Sequence, residues 1–363
     1  MAVLARTGHL EQGYSMTAVS MISASSARKL LLSALVGVTA VTAMPAQAQE
    51  EVNVYSYRQA YLIEPFLKEF TEETGVKVNV VFAKQGLAER LKREGRNTPA
   101  DVLLTVDIGR LQELVDEELV KSVNDDVIEA NLPEQYHGPD NQWFGITTRA
   151  RVLYTSVERL EAGQVASYDD LADPSLKGRV CSRAGDHPYN VALIASRIAH
   201  NGEEATREWL EGFKDNLARK PQGGDRDQIK AIRDNVCDVA IGNSYYYGKM
   251  LDNDEQRPWA EKARIEFPDQ NGVGTHMNIS GMAMTKYAPH EENALKLMRF
   301  LTEKTAQHMY AEVNFEYPAN PAAESSELLT SWGEFKQDDL SLTEVAKYRK
   351  RAAQMVNEVG FNQ

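Results

Sequence analysis

The chain has 363 residues, 42% of them hydrophobic and 26% charged, with a formal net charge of −13. That balance suits a globular protein of one large or two medium domains. Its acidity argues against DNA, RNA or an anionic membrane surface as partner, and no stretch is long and apolar enough for a mature membrane span.

Near the N-terminus, Arg28-Lys29 precede the apolar run Leu30 to Val38, and Ala46-Gln47-Ala48 follows. A basic patch, a short apolar core and a small-x-small tripeptide form a secretory signal, so residues 1–48 are read as a signal peptide cleaved after Ala48. Arg28 stands far from Met1, which makes Met16 or Met21 an alternative start. Arg6, Arg28, Lys29 and Glu11 leave with this segment, so the exported chain is more acidic than the whole. In an oxidising compartment the two cysteines, Cys181 and Cys237, are a candidate disulfide.

Glu51 to Tyr57 alternates and predicts a first strand. Leu62 to Thr74 predicts an amphipathic helix, with Leu62, Phe66, Leu67 and Phe70 near one face and Gly75 as its stop. A second strand, Val76 to Phe82, leads to a helix over Leu87 to Glu94. Ala100 to Thr105 is almost continuously apolar, as buried parallel strands are. Asp107 caps the helix that starts at Ile108. This alternation predicts an open, mostly parallel α/β sheet, with ligands bound beyond the carboxyl ends of its strands. Tyr57 to Tyr61 and Thr105 to Gly109 then share one rim.

Gln142 to Tyr154 is extended, carries little helix signal and suits a crossing to a second lobe. The α/β pattern restarts with a short helix from Tyr168, a strand over Gly178 to Arg183, and helices over Asn190 to Ala199, Glu203 to Asp215 and Gln228 to Asn235. The strand Cys237 to Ile241 follows. Asn278 to Met284 suits the return crossing, and the helix Asn293 to Leu301 begins a C-terminal helical tail. The expected division is 49–148 as the first part of the N-lobe, 149–277 as the C-lobe, and 278–363 as the return to the N-lobe plus the tail. Two lobes joined by two extended crossings make a hinge-closing binder.

Tyr245-Tyr246-Tyr247 follows Val239-Ala240-Ile241 and lies between Gly242 and Gly248. Adjacent side chains of a strand point to opposite faces, so two such phenols share a pocket only where the strand has ended and the chain turns. The glycines suit that turn. Two readings stay open from the residues alone: aromatic packing at a strand end, or a cluster of phenolates, hard oxygen ligands for a hard cation such as ferric iron. An enzyme is not expected, because the Gly-x-Ser-x-Gly elbow, the His-Glu-x-x-His zinc pattern and the phosphate-binding loop are all absent.

Several stretches together resemble the periplasmic ferric-iron-binding proteins of ATP-driven iron uptake. They are Val54-Tyr-Ser-Tyr-Arg-Gln59, Phe70-Thr-Glu-Glu-Thr-Gly-Val-Lys-Val78, Pro99-Ala-Asp-Val-Leu-Leu-Thr-Val-Asp107, Trp143-Phe-Gly145 and Arg149-Ala-Arg-Val152. Cys181-Ser-Arg183 with Tyr189-Asn190, Asn243-Ser-Tyr-Tyr246 and Glu316-Tyr-Pro318 complete the succession, which spans almost the whole exported chain. The resemblance implies a two-lobed, type II periplasmic-binding-protein fold. It implies Fe(III) as cargo, held by phenolates of Tyr189, Tyr245 and Tyr246, and delivery to an inner-membrane ABC permease. Tyr247 falls one past the pair and is expected to line the pocket.

Family members often add a histidine or tyrosine from the loop after the first strand, where this chain has Gln59 and Ala60. Carbonate or another anion, held by Arg58, Gln59 or Arg149, is expected in the vacant positions. Tyr57 and Tyr61 are candidate extra ligands. His187 is expected to be solvated, Arg183 to brace its loop, and His276 and Asn278 have no assigned role. The protein is expected to be a monomer. The rival cargoes are Fe(II) and, on the same fold, a polyamine, thiamine, sulfate or phosphonate. Phenols plus arginine suit none of those four well, because anions favour backbone N–H groups and amines favour carboxylates.

Overall fold

The structure is a computed structural model that describes residues 50–363; the expected signal peptide and its cleavage site lie outside the described residues. Among the described residues nine strands are formed: β1 Glu51–Ser56, β2 Lys77–Phe82, β3 Val102–Thr105, β4 Phe144–Ser156, β5 Val180–Cys181, β6 Val239–Asn243, β7 Ala263–Glu266, β8 Met277–Met284 and β9 Tyr317–Pro318. In the first lobe β1 lies between β2 and β3, parallel to both. In the second β5 and β6 are parallel. The long strands β4 and β8 run antiparallel to their neighbours, so each lobe's sheet is mixed rather than mostly parallel.

The reason is the crossing itself. β4 is buried along its whole length. From Phe144 to Ala150 it pairs with β8 and β9, and from Arg151 onward with β6 and β7. One strand that serves both sheets cannot arrive through the helical crossover that a parallel neighbour needs.

Alternation along the strands builds a core on each face. In β1, Val52 and Val54 face Phe66, Phe70, Leu297 and Tyr310, while Tyr55 faces Leu91, Leu103, Ile108 and Leu111. In the second lobe Leu153, Val239 and Ile241 pack on one side, against Leu193 and Ile194. Val152, Tyr154 and Ala240 pack on the other, against Ile229 and Ile232. Helix Ala60–Thr74 ends at Gly75, whose φ of 73° is the left-handed conformation that a C-terminal glycine supplies. A disulfide joins Cys181 at the end of β5 to Cys237, just before β6.

One expectation is corrected here. Tyr245, Tyr246 and Tyr247 lie in the first turn of a helix, Ser244–Leu251, rather than in a turn after the strand. The flanking glycines serve close packing instead. A Cβ on Gly242 would sit 2.2 Å from the ring of Tyr154, and one on Gly248 would sit 2.7 Å from Phe315. The 278–363 segment divides. Helices Glu291–Thr302 and Lys304–Asn314 rejoin the first lobe, but the last helix, Leu342–Val359, buries Val345, Ala352, Met355 and Val356 in the core of the second.

Candidate metal centre

Between the lobes lies a cleft of about 260 Å³, small for an organic ligand. Tyr189 reaches it from the start of helix Pro188–Asn201, and Tyr245 and Tyr246 from the start of Ser244–Leu251. The phenol oxygens of Tyr189 and Tyr245 are 3.3 Å apart, and the rings of Tyr245 and Tyr246 lie 4.2 Å apart, centre to centre. On a helix, successive residues turn through about a quarter of a circle. Two neighbours can therefore share the cleft while the third leaves it. Tyr247 does leave: its hydroxyl donates to the Ala263 carbonyl at 3.0 Å, and its ring packs near Tyr154 and Trp332. It does not line the cleft as expected.

A buried polar cluster sets the two tyrosine-bearing segments relative to each other. Arg151 donates to Asp225 and Asn243, both at 2.9 Å, and to Asn190 at 2.6 Å. Asn190 follows Tyr189, and Asn243 precedes Ser244 and Tyr245. Arg183 pairs with the other oxygen of Asp225 at 2.9 Å and lies 5.2 Å from the Tyr189 ring centre. Burial alone would raise the Asp225 carboxyl, but Arg151 and Arg183 outweigh it and hold the group below the usual range.

The phenols themselves are pushed the other way. Burial, then the neighbouring Tyr189 and Tyr246, raises Tyr245 well above the ordinary phenol range. Burial, then Tyr189, raises Tyr246. Without a cation these two phenols are neutral at physiological pH.

Arg58 and Arg149 occupy the floor but are not equivalent. Arg58 pairs with Glu316 at 2.8 Å, is buried with it, and also donates to Ser280. Its charge is therefore neutralised within the protein. Arg149, only 1% exposed, donates to Ser280 at 3.0 Å and lies 5.7 Å from the Tyr189 ring centre, and no carboxylate of the described residues pairs with it. A buried guanidinium without a counter-ion beside three phenols favours an anionic guest or ionised phenols. Gln59 lines the first-lobe wall, exposed, at the N-cap position of helix Ala60–Thr74, with no hydrogen bond capping that helix. Lys84 and Arg110 add positive charge to the same wall.

Of the two candidate extra ligands, Tyr57 lines the cleft and Tyr61 does not. The Tyr57 oxygen accepts the backbone N–H groups of Leu87 and Ala88, both at 3.1 Å, and so caps the helix Leu87–Glu94; its ring lies 4.0 Å under the Arg110 guanidinium. Tyr61 is 41% exposed on helix Ala60–Thr74 and does not line the cleft. His187 is half-buried rather than solvated. It accepts the Tyr189 N–H at 3.3 Å as the N-cap of the next helix, and burial, then Arg183, pushes its imidazole down to about 3. Asp107 caps its helix through the N–H groups of Gly109 and Arg110, and Asn278 accepts the N–H of Ile108.

Ser280, Glu316, Arg151 and Asp225 were not assigned a role from sequence. Glu316 and Arg151 stand in stretches that carry the family resemblance, but nothing local announces their partners. Among the described residues no group of three or more His, Cys, Asp or Glu side chains is placed to hold a metal ion, so a metal here would have to use the phenols.

The sequence matches the bacterial extracellular solute-binding proteins over residues 66–337. The chain belongs to that family. It is 40% identical to iron uptake protein A1 of Synechocystis over 316 residues, covering 86% of this chain and 88% of the relative. It is 26% identical to the Fe(3+)-binding periplasmic protein of Serratia marcescens over 323 residues, 88% of this chain and 93% of that one. Among solved structures, apo ferric ion-binding protein A of Pasteurella haemolytica superposes with a TM-score of 0.83 at 52% identity, covering 86% of this chain and 99% of that one. A Trichodesmium protein solved with iron and citrate gives 0.81 at 34% identity, covering 86% and 99%. This solute-binding protein thus has the two-lobed fold of the periplasmic ferric-binding structures, and its relatives are transport proteins rather than enzymes.

Proposed function

We propose that this protein captures ferric iron in the interlobe cleft and delivers it to an inner-membrane ABC permease. The observation that carries the reading is the convergence of the Tyr189, Tyr245 and Tyr246 phenols beside the unpaired Arg149. Three phenolates balance a trivalent cation, so the closed site buries little net charge. The metal's own charge makes the phenolate the favoured form, against the upward push of burial. Oxygen ligands suit Fe(III) better than a soft metal. Arg149 then holds a small anion, carbonate among the candidates, in the positions that Gln59 and Ala60 leave free.

The periplasm is the compartment that fits the disulfide and the relatives, and the protein acts there as a monomer. A polyamine reading is disfavoured by the cationic wall of Lys84, Arg110 and Arg149, which repels amines.

Ferric loading of the purified protein should give a visible phenolate-to-iron charge-transfer band. The Tyr245→Phe, Tyr246→Phe double variant should lose it while keeping its unfolding midpoint. A colourless wild-type complex, or a double variant with unchanged iron affinity, would overturn the assignment.

A further inference from the structure

The last helix carries two faces. Val345, Ala352, Met355, Val356 and Val359 root it in the second lobe. Leu342 and Ala346, at helical spacing on another stripe, pack against the first lobe beside Ile108 and Leu111. Arg349 continues that second stripe. Its guanidinium lies 3.4 Å from Asp107 of the first lobe and donates to the Pro188 carbonyl at 3.3 Å. Pro188 begins the helix that carries Tyr189.

The contact is built in detail. A Cβ on Gly109 would lie 1.7 Å from Arg349 Nε, so a larger residue there would push that side chain aside from the N-terminus of helix Ile108–Asp116. Asp107 is fully buried, and its second carboxylate oxygen has no hydrogen-bond partner. A charge-assisted contact normally closes to about 2.8 Å. The Arg349–Asp107 pair therefore has room to tighten as the lobes approach.

We propose that Arg349 is a positioning residue for metal capture, a latch from the C-terminal helix that holds the Asp107 wall of the first lobe against the Tyr189 wall of the second. This rests on the iron reading for its consequence, because a latch across the cleft slows release of whatever the tyrosines hold. Affinity differences among variants of one site fall mostly on the dissociation rate, so iron release is where the latch is read.

The test uses the exported chain with Arg349→Ala, Arg349→Lys, Asp107→Asn, and the combination of Arg349→Ala with Asp107→Asn. Asparagine keeps the helix cap while removing the charge. Iron release to excess EDTA is followed by decay of the charge-transfer band. Release should rise about tenfold in Arg349→Ala and in Asp107→Asn, and less in Arg349→Lys, with the band position unchanged. The combination should release no faster than either single change, because the two residues form one contact. Unchanged release in Arg349→Ala, or effects of the two changes that multiply, would overturn the latch.

A second measurement does not depend on iron. Spin labels at Lys68→Cys and Glu208→Cys, one in each lobe and free of competing thiols because both native cysteines are bonded, report the lobe separation. In metal-free protein Arg349→Ala should shift the distribution to longer distances, and an unchanged distribution overturns the proposal. If wild-type protein takes up no ferric iron, the functional reading fails and this distance measurement still decides on Arg349.

Discussion

Tyr245 and Tyr246 stand at the beginning of a helix, Tyr245 buried and Tyr246 half-buried, close to each other and to Tyr189, and desolvation keeps them protonated until a cation arrives. Ferric capture therefore displaces protons. The free site binds more protons than the loaded one, so affinity must rise with pH. If both phenols ionise, log K climbs by about two per pH unit while the pH stays well below their free-state values. Chelator-competition titrations between roughly pH 5 and 8 measure this slope. A slope below about one would mean that the phenols are not the groups displaced. Arg149 moderates the effect without reversing it, since a nearby guanidinium favours the ionised phenol of Tyr245 but burial outweighs it.

At the scale of elements, the site depends on how β6 and its following helix sit against β4. Gly242 of β6 lies directly under the Tyr154 ring, and the Tyr154 hydroxyl donates to the Asn243 carbonyl at 2.6 Å. That bond fixes the end of the strand from which Tyr245 and Tyr246 are launched. Replacing Gly242 with Ala forces the ring aside and overpacks the core. The expected loss is about 1–3 kcal/mol of stability, with weaker iron binding because Asn243 moves with it. Denaturant melts with iron titrations test this, and a variant of wild-type stability would show that the ring can yield at no cost. The α/β elements themselves were legible. Leu87–Glu94 and Glu203–Asp215 form with the boundaries that their apolar spacing predicts, because those helices are set by local periodicity. The strand expected over Gly178 to Arg183 shortens to Val180–Cys181, since only those residues pair with β6.

In the whole molecule, β4 serves both sheets, β8 pairs within the first sheet and reaches the second lobe's core at Met277, and the terminal helix touches both lobes from another side. Motion between the lobes must therefore bend two strands and slide one helix face. Within the second lobe the Cys181–Cys237 bridge closes a loop of 56 residues that includes Tyr189 and Asp225. Replacing both cysteines with Ala should lower stability by about 2–4 kcal/mol, read as a shift in the unfolding midpoint. An unchanged midpoint would mean that pairing of β5 with β6 holds that lobe by itself.

Much of the order of strands and helices, the two crossings and the cysteine pair followed from the sequence, because alternation, helical periodicity and cysteine number are local or compositional facts; β7, β9 and the helix Ser244–Leu251 did not. The tyrosine trio did not. Spacing left Tyr245 to Tyr247 open between packing and chemistry, and only resemblance to a family singled out the first two together with Tyr189. Tertiary structure then decided what no local pattern carries. It turned Tyr247 away by placing the run on a helix, and it committed the Tyr57 oxygen to a helix N-terminus thirty residues on. It gave Arg58 a counter-ion and, among the described residues, left Arg149 without one. Each of these outcomes depends on partners far apart in the chain, such as Glu316 for Arg58 and Asp225 for Arg151. Which buried charge finds a partner is settled only when each lobe has assembled its own sheet and helices.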